Sequence, residues 1–496
     1  MKKKRLYAFL LALILCLNVA AGPVRAETEP SETGEPTVPE TIALPGDISG
    51  DISITMGPHS IEGQVPLLDF TDYPVEAKAA MLYEVDTGTV LYGHNMDEKL
   101  YPASLTKVMT CLVALELCQD LQEVVTVPKE VMDRVDPSGS SMELVTDEEV
   151  TYDQLFYGLM VESANDAAMV LAHHLCGSEE AFVREMNRYA RKLHCSNTNF
   201  ANVHGLHNED HYSTARDMVR ILTAAIENEK FYHYFTTHYV ILPATNKTPE
   251  RELVTTNFML NKEVTDLYYD TRVVGGKTGF TTPAGRCLVT LSESKGMRLI
   301  SVVMGCGVKT DPNDIYTILS YGNFQETKNL INLAYRTYTS AQVLSPNQIL
   351  GQFDVAYGSA DAYGVVKGSV SSLVPQESDM SAVRYEYVLD EKTLTAPVEE
   401  GQPLGIVRVW YHTKCIAQQE LYAASRVEKD IATQQGSAGT PGAAPVDDAP
   451  GIWNIVLIAI LVVLGLIAAM LAAGYIRGAM IRAKRARRRK SRRRSR

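Results

Sequence analysis

"YPASLTKVMT", residues 101–110, places a serine three positions before a lysine, directly after Pro102 and at the head of an apolar run made by Leu105, Val108, Met109, Leu112, Val113 and Leu115. This pattern predicts a helix beginning near Pro102, with Ser104 in its first turn. A spacing of three puts Ser104 and Lys107 on one face, so the amine can reach the hydroxyl. The start of a helix also favours developing negative charge. A lysine serves as a base only where burial or nearby cations lower its pKa. S-x-x-K alone is a weak signal, expected roughly once or twice by chance in a chain this long. Ser292 and Lys295 form a second copy.

Outward from this helix the chain reads as α+β. "KAAMLYEV" and "VLYGHN" flank the turn-like "DTGT" upstream and predict a hairpin. Downstream, helices are expected over 152–175, 179–193 and 213–228, the last introduced by the capping candidate Ser213. "TRVVGGKTGF", "RCLVTLSES" and "MRLISVVMGC" then read as three strands joined by short turns, followed by a helix near 313–337. From about 341 to 426, short Val, Tyr and Ile runs between Gly and Pro predict a small all-β domain.

Two further motifs fall in order within this frame. Ser163-Ala164-Asn165 is an S-x-N, a pattern repeated at Ser345-Pro346-Asn347. Lys277-Thr278-Gly279 is rarer, expected on the order of 0.1 times by chance. Lys277 is a candidate for the nearby cation that would lower the Lys107 pKa, and two lysines and two serines would then form one proton-transfer network. Gly279, lacking a side chain, lets its strand lie close beside a bound peptide.

The ordered set S-x-x-K, S-x-N and K-T-G resembles the penicillin-binding and serine β-lactamase superfamily. In the contexts "YPASLTKVMT", "LMVESANDAAMVLAHHLCGSEEAFVREMN", "NVHGLHNEDHYSTARDM" and "GGKTGFTTPAGRCLV" the chain is similar to the low-molecular-mass D-alanyl-D-alanine carboxypeptidases over about residues 72–335. The following β segment resembles that family's C-terminal β domain in position and character. The resemblance implies a β-lactamase/transpeptidase-like domain, an antiparallel sheet with a helical region, ahead of a small all-β domain. It implies Ser104 as the acylated nucleophile, Lys107 as its base and Ser163 as the proton donor to the leaving amine. Asn165 would bond the substrate backbone, Lys277 would supply positive potential, and Thr278 would bind the terminal carboxylate. The N–H groups of Ser104 and Phe280 would form an oxyanion hole. The implied substrate is a peptidoglycan stem peptide ending in D-Ala-D-Ala, with β-lactams as covalent inhibitors and no metal or organic cofactor. The alternatives are a serine β-lactamase, a DD-endopeptidase and a noncatalytic wall-binding scaffold. S-A-N stands where the family most often has S-G-N. The segment "GVKTDPNDIY", where the family usually carries a carboxylate-binding arginine, has Lys309 as its only cation.

His204, His207 and His211, with Glu209 and Asp210 between them, are spaced like metal ligands but lack the helical H-E-x-x-H arrangement, so this stretch reads as a polar structural loop. Besides Cys16, the seven cysteines are an odd number without C-x-x-C spacing and imply no disulfide framework.

The ends of the chain set the compartment. Lys2–Arg5, an apolar run from Leu6 to about Ala21 and Val24-Arg25-Ala26 read as a cleaved secretory signal over 1–26. Residues 27–70 read as a disordered lead-in, ahead of a catalytic domain over 71–340 and the β-rich domain over 341–426. A flexible stalk over 427–451 leads to a transmembrane helix over 452–476, whose stretch Ile455–Ile476 carries no charge over 22 residues. The tail 477–496 holds 12 Lys and Arg and no acid, which places it in the cytoplasm, facing anionic lipid. The expected location is therefore a single-pass cell membrane protein with its catalytic domain outside. Setting aside the tail and the signal leaves 30 Lys and Arg against 59 Asp and Glu, near −29, a surface unsuited to nucleic acid.

Overall fold

The computed structural model describes residues 73–312 and 314–430. The signal, the lead-in, the stalk from 431 onward, the transmembrane helix and the basic tail lie outside the described residues. Among the described residues, no helix is long and apolar enough to cross a membrane.

The first hairpin is β1 (Ala79–Glu84) and β2 (Thr89–His94). A 3-10 turn, Ala103–Leu105, runs into α1 (Thr106–Leu117). Next come β3 (Val124–Thr126), α2 (Lys129–Met132), β4 (Glu149–Thr151) and α3 (Tyr152–Tyr157), whose start is fixed by a reciprocal cap between Thr151 and Gln154. The helical region continues with α4 (Asn165–Cys176), α5 (Glu179–Lys192), α6 (Ala215–Ile226) and α7 (Glu229–Thr236). A hairpin of β5 (Tyr239–Leu242) and β6 (Arg251–Val254) leads to β7 (Val273–Thr281), β8 (Gly285–Ser294) and β9 (Met297–Cys306).

The main sheet has the order β2-β1-β9-β8-β7, all antiparallel, so the strand carrying Lys277-Thr278-Gly279 is an edge. Alternation along the strands decides what each face buries. Met81, Tyr83, Val289, Leu291, Ile300 and Val302 pack against the helices α1 to α7. Ala80, Leu82, Leu288, Leu299 and Val303 pack on the opposite face against Phe324, Leu330 and Ile331 of α8 (Gly322–Thr337). Helix α1 is buried on all sides from Thr106 to Leu115, so its polar residues must find partners internally. Thr110 Oγ1, for one, donates to the Val203 carbonyl at 2.7 Å.

Three expected elements differ. The helix over 152–175 is interrupted: after α3 a π turn, Gly158–Glu162, ends at Ser163, which is left-handed (φ 64°), and Ala164 is extended before α4. The helix near 313–337 starts only at Gly322, because β10 (Val308–Asp311) and β11 (Asp314–Tyr321) form a hairpin about the turn-forming Asp311-Pro312. Helix α6 is capped by Thr214, whose hydroxyl accepts the Asp217 N–H at 3.0 Å; Ser213 instead bonds Thr198.

The C-terminal β domain comprises β12 (Tyr338–Leu344), β13 (Gly351–Phe353), β14 (Val355–Ala356), β15 (Ala362–Val365), β16 (Val370–Pro375), β17 (Val383–Leu389), β18 (Leu394–Thr395), β19 (Pro403–Tyr411) and β20 (Lys414–Ala423). Its largest sheet has the order β13-β15-β20-β19-β17, around a core of its own that includes Leu344, Val366, Leu404, Val407 and Leu421.

Candidate active site

Ser104 is the middle residue of the 3-10 turn. The preceding Ala103 sits at φ 48°, a left-handed conformation that costs a non-glycine residue of order 1 kcal/mol or more. The surroundings hold it there. Thr106 Oγ1 donates to the Ala103 carbonyl at 2.7 Å, and Gly205, itself at φ +89°, packs so tightly that a Cβ would fall 1.9 Å from the same oxygen.

Lys107, the second residue of α1, is completely buried, and its ammonium has three partners. It donates to Ser104 Oγ at 3.0 Å, to Asn165 Oδ1 at 2.7 Å and to the His204 carbonyl at 2.7 Å. Burial, and then the positive charge of Lys277, push its pKa well below the ordinary lysine range, with Asp166 pulling the other way. This geometry dictates what deprotonation does. Two hydrogens remain committed to the amide and carbonyl oxygens, and the freed lone pair faces the serine hydroxyl.

Asn165 begins α4 and is nearly fully buried. The next residue, Asp166, holds the 141–144 segment by accepting from Ser141 Oγ (2.6 Å), Met142 N (3.2 Å) and Leu144 N (3.0 Å). Ser163 is buried at the break before α4, and its left-handed backbone turns it out of the helical path. Among the described residues, no hydrogen bond joins the Ser163 hydroxyl to either lysine.

From the sheet side, Lys277 is 1 % exposed and donates to the Thr278 carbonyl at 3.1 Å. Burial lowers its pKa to about 7, against the opposing charge of Glu162. Burial likewise raises the Glu162 carboxyl to about 7. The Thr278 hydroxyl is hydrogen-bonded to that of Thr256. Gly279 lies against the nucleophile turn: a Cβ there would stand 2.9 Å from the Pro102 oxygen, 3.1 Å from Ser104 N and 3.2 Å from the Ala103 Cβ. The close approach that requires glycine is thus to the chain's own turn. Phe280 is half-exposed, with the Arg286 guanidinium 4.7 Å above its ring.

The tertiary structure adds groups that the motifs do not name. The His204 carbonyl, Glu162 and Asp166 all act on the two lysines. Glu162 and Asp166 flank the S-x-N triplet directly, which is the one sequence signal that points to them. Lys309 is exposed and paired with Glu76 at 2.9 Å. The histidines have structural partners. His211 Nδ1 accepts the Ala201 N–H at 3.1 Å and its Nε2 lies 2.7 Å from Thr106 Oγ1. His204 Nδ1 accepts the Leu206 N–H at 3.1 Å, and His207 packs edge-on against Tyr101. Burial, then the Lys107 charge, holds His204 down to about 3 and His211 to about 4, so both are neutral. The seven described cysteines are free.

Comparison with known proteins gives a consistent pattern. The D-alanyl-D-alanine carboxypeptidase family profile matches residues 69–307, and that of the penicillin-binding protein 5 C-terminal domain matches 338–429. The chain is 32% identical over 364 residues to the D-alanyl-D-alanine carboxypeptidase DacC of Escherichia coli, covering 72% of this chain and 85% of that protein. It is 31% identical over 362 residues to DacF of Bacillus subtilis, covering 71% and 86%. Among solved structures, penicillin binding protein 5 from Haemophilus influenzae superposes with a TM-score of 0.60 at 29% identity, over 74% of this chain and 100% of that one.

Proposed function

We propose, for a chain that belongs to the D-alanyl-D-alanine carboxypeptidase family, the family's reaction at Ser104: removal of the terminal D-alanine from peptidoglycan stem peptides. The observation that carries this reading is the buried Lys107, its pKa depressed and its third donor position 3.0 Å from Ser104 Oγ.

Neutral Lys107 takes the hydroxyl proton as Ser104 Oγ attacks the carbonyl between the two D-alanines. The N–H groups of Ser104 and Phe280 hold the oxyanion, a reading supported by the close approach of neighbouring Gly279 to the Ser104 turn. Lys277 and Thr278 hold the terminal carboxylate, and Asn165 bonds the peptide backbone. As the C–N bond breaks, Ser163 gives its hydroxyl proton to the departing amine and is restored by the proton that Lys107 took from Ser104, so D-alanine leaves as the neutral amine and Lys107 is again free base. Water then hydrolyses the acyl ester, returning Ser104. A β-lactam enters the same path because its strained amide mimics the substrate terminus.

The test is release of free D-alanine from a pentapeptide ending in D-Ala-D-Ala. The parent protein releases it and retains labelled penicillin covalently; Ser104→Ala does neither. Covalent penicillin on Ser104→Ala would refute the assignment.

The terminal segments support a membrane-anchored enzyme acting outside the cytoplasm. The signal-like 1–26, the uncharged Ile455–Ile476 and the 12 cations beyond it fit a single span with a cytoplasmic, lipid-facing tail. Protease added to intact protoplasts should then remove the catalytic domain; its protection would contradict this topology.

A further inference from the structure

We propose that His211 is a positioning residue for the oxyanion hole, acting through Thr106 on the peptide group that joins Ala103 to Ser104. The proposal rests on the acylation of Ser104 set out above and adds to it a side chain that touches neither the substrate nor the nucleophile.

The Ala103–Ser104 peptide is one planar unit with two working ends. Its N–H belongs to Ser104 and meets the developing oxyanion; its C=O belongs to Ala103 and, in a trans peptide, points the opposite way. Whatever holds the oxygen therefore aims the donor. The oxygen needs holding, because Ala103 sits at φ 48°, where a non-glycine residue is strained. It accepts from the Thr106 N–H and, at 2.7 Å, from Thr106 Oγ1, while Gly205 packs against its far side. A hydrogen bond to the oxygen also polarises the N–H of the same unit, which strengthens it as a donor.

The count of donors and acceptors gives the chain a single direction. Ala201 N–H can only donate and lies 3.1 Å from His211 Nδ1, so that nitrogen accepts. His211 is 1 % exposed, and burial, then the Lys107 charge, keeps its ring neutral. The one ring proton is thus on Nε2, 2.7 Å from Thr106 Oγ1, which accepts it. The single hydroxyl proton of Thr106 is left for the Ala103 oxygen. Phe200 packs edge-on to the imidazole, with ring centroids 5.7 Å apart, and fixes its plane. Removing His211 frees the Thr106 hydroxyl to rotate, and the strained peptide loses the partner that aims and polarises the Ser104 N–H.

The test measures acylation of the full chain by a fluorescent penicillin in stopped flow, with the rate constant expressed per penicillin-reactive site so that misfolded molecules drop out. His211→Phe keeps a ring and removes both nitrogens. Its acylation should slow roughly tenfold, part of the 10²-fold or more that follows outright loss of an oxyanion donor. His211→Gln keeps one donor and one acceptor and should stay within about twofold of the parent. With a pentapeptide ending in D-Ala-D-Ala, the His211→Phe loss should appear in kcat with KM unchanged, as for an interaction made only in the transition state. Should His211→Phe fail to fold, Thr106→Val should show the same loss and Thr106→Ser, which retains the hydroxyl, should not. Because both residues act through one bond, His211→Phe should add nothing to Thr106→Val. Parent-rate acylation by folded His211→Phe or Thr106→Val would overturn the proposal, as would losses that multiply in the double variant, or a His211→Gln protein as slow as His211→Phe. Failure of the carboxypeptidase reading looks different: the parent itself would release no D-alanine and would not be acylated by penicillin.

Discussion

Replacing Gly279 with alanine puts one methyl group where the sheet and the nucleophile turn are closest. The added Cβ would meet the Pro102 oxygen at 2.9 Å, Ser104 N at 3.1 Å and the Ala103 Cβ at 3.2 Å. Two of these are backbone atoms of a turn already pinned by Thr106 and Gly205, so no flexible side chain can move aside. Restoring ordinary contact requires a separation of roughly 0.5 Å between β7 and the turn, the tolerance within which a catalytic constellation must be held. That shift draws Phe280 N–H away from Ser104 N–H. Loss of one oxyanion donor costs roughly 3 kcal/mol, so penicillin acylation should slow on the order of 10²-fold or more. Stability should fall by only about 1–3 kcal/mol, the usual range for overpacking. The assay is stopped-flow acylation by a fluorescent penicillin, alongside urea denaturation. A folded Gly279→Ala protein that acylates at the parent rate would refute the argument that this contact sets the oxyanion hole.

Lys277→Gln removes the like charge that helps depress Lys107, so the Lys107 pKa rises and the acid limb of the acylation profile moves to higher pH; an unmoved limb would mean that burial alone sets it. Glu162→Gln removes the charge that opposes burial at Lys277, so its pKa falls below about 7 and the cation is lost at lower pH; KM for a carboxylate-bearing peptide should rise at a lower pH than in the parent. Arg251 holds the fully buried Glu148 through two contacts, at 2.6 and 2.7 Å, and Arg251→Ala should destabilise the fold by about 3 kcal/mol in urea denaturation at neutral pH. Burial opposes ionisation of Glu148, but hydrogen bonds from Arg251, Thr245 and Thr248 outweigh it and lower its pKa to about 2. Its stabilisation is therefore present above pH 4.5 and lost as pH falls towards 2, and the Arg251→Ala protein should show a weaker dependence over that window.

Much of this site is legible in local spacing. Ser104 and Lys107 meet because a spacing of three puts them on one helical turn, and the short Val-rich stretch that carries Lys277-Thr278-Gly279, bounded by turn residues, reads as a strand. The hairpin at 79–94 and the run of strands from 273 to 306 follow from the same two periodicities. Local pattern misleads where a short break or turn overrides it. The apolar periodicity from 152 to 175 continues through Ser163, yet the left-handed backbone there and the extended Ala164 split the helix. At 308–321, Asp311-Pro312 makes a hairpin, and its second strand takes up what reads as the first turns of a helix from 313.

By itself, then, the sequence determined the motif order, the α+β class, the family resemblance and the membrane-spanning character expected of Ile455–Ile476. The tertiary structure alone decided that Lys107 is poised as a base. Its partners Asn165 and His204 are 58 and 97 residues away, and the burial and neighbouring charge that lower its pKa come from elements no local window contains. The reason Gly279 must be glycine is likewise tertiary, since the atoms it would strike belong to a turn more than 170 residues earlier. A pKa and a close contact are properties of surroundings, and only the folded chain assembles them.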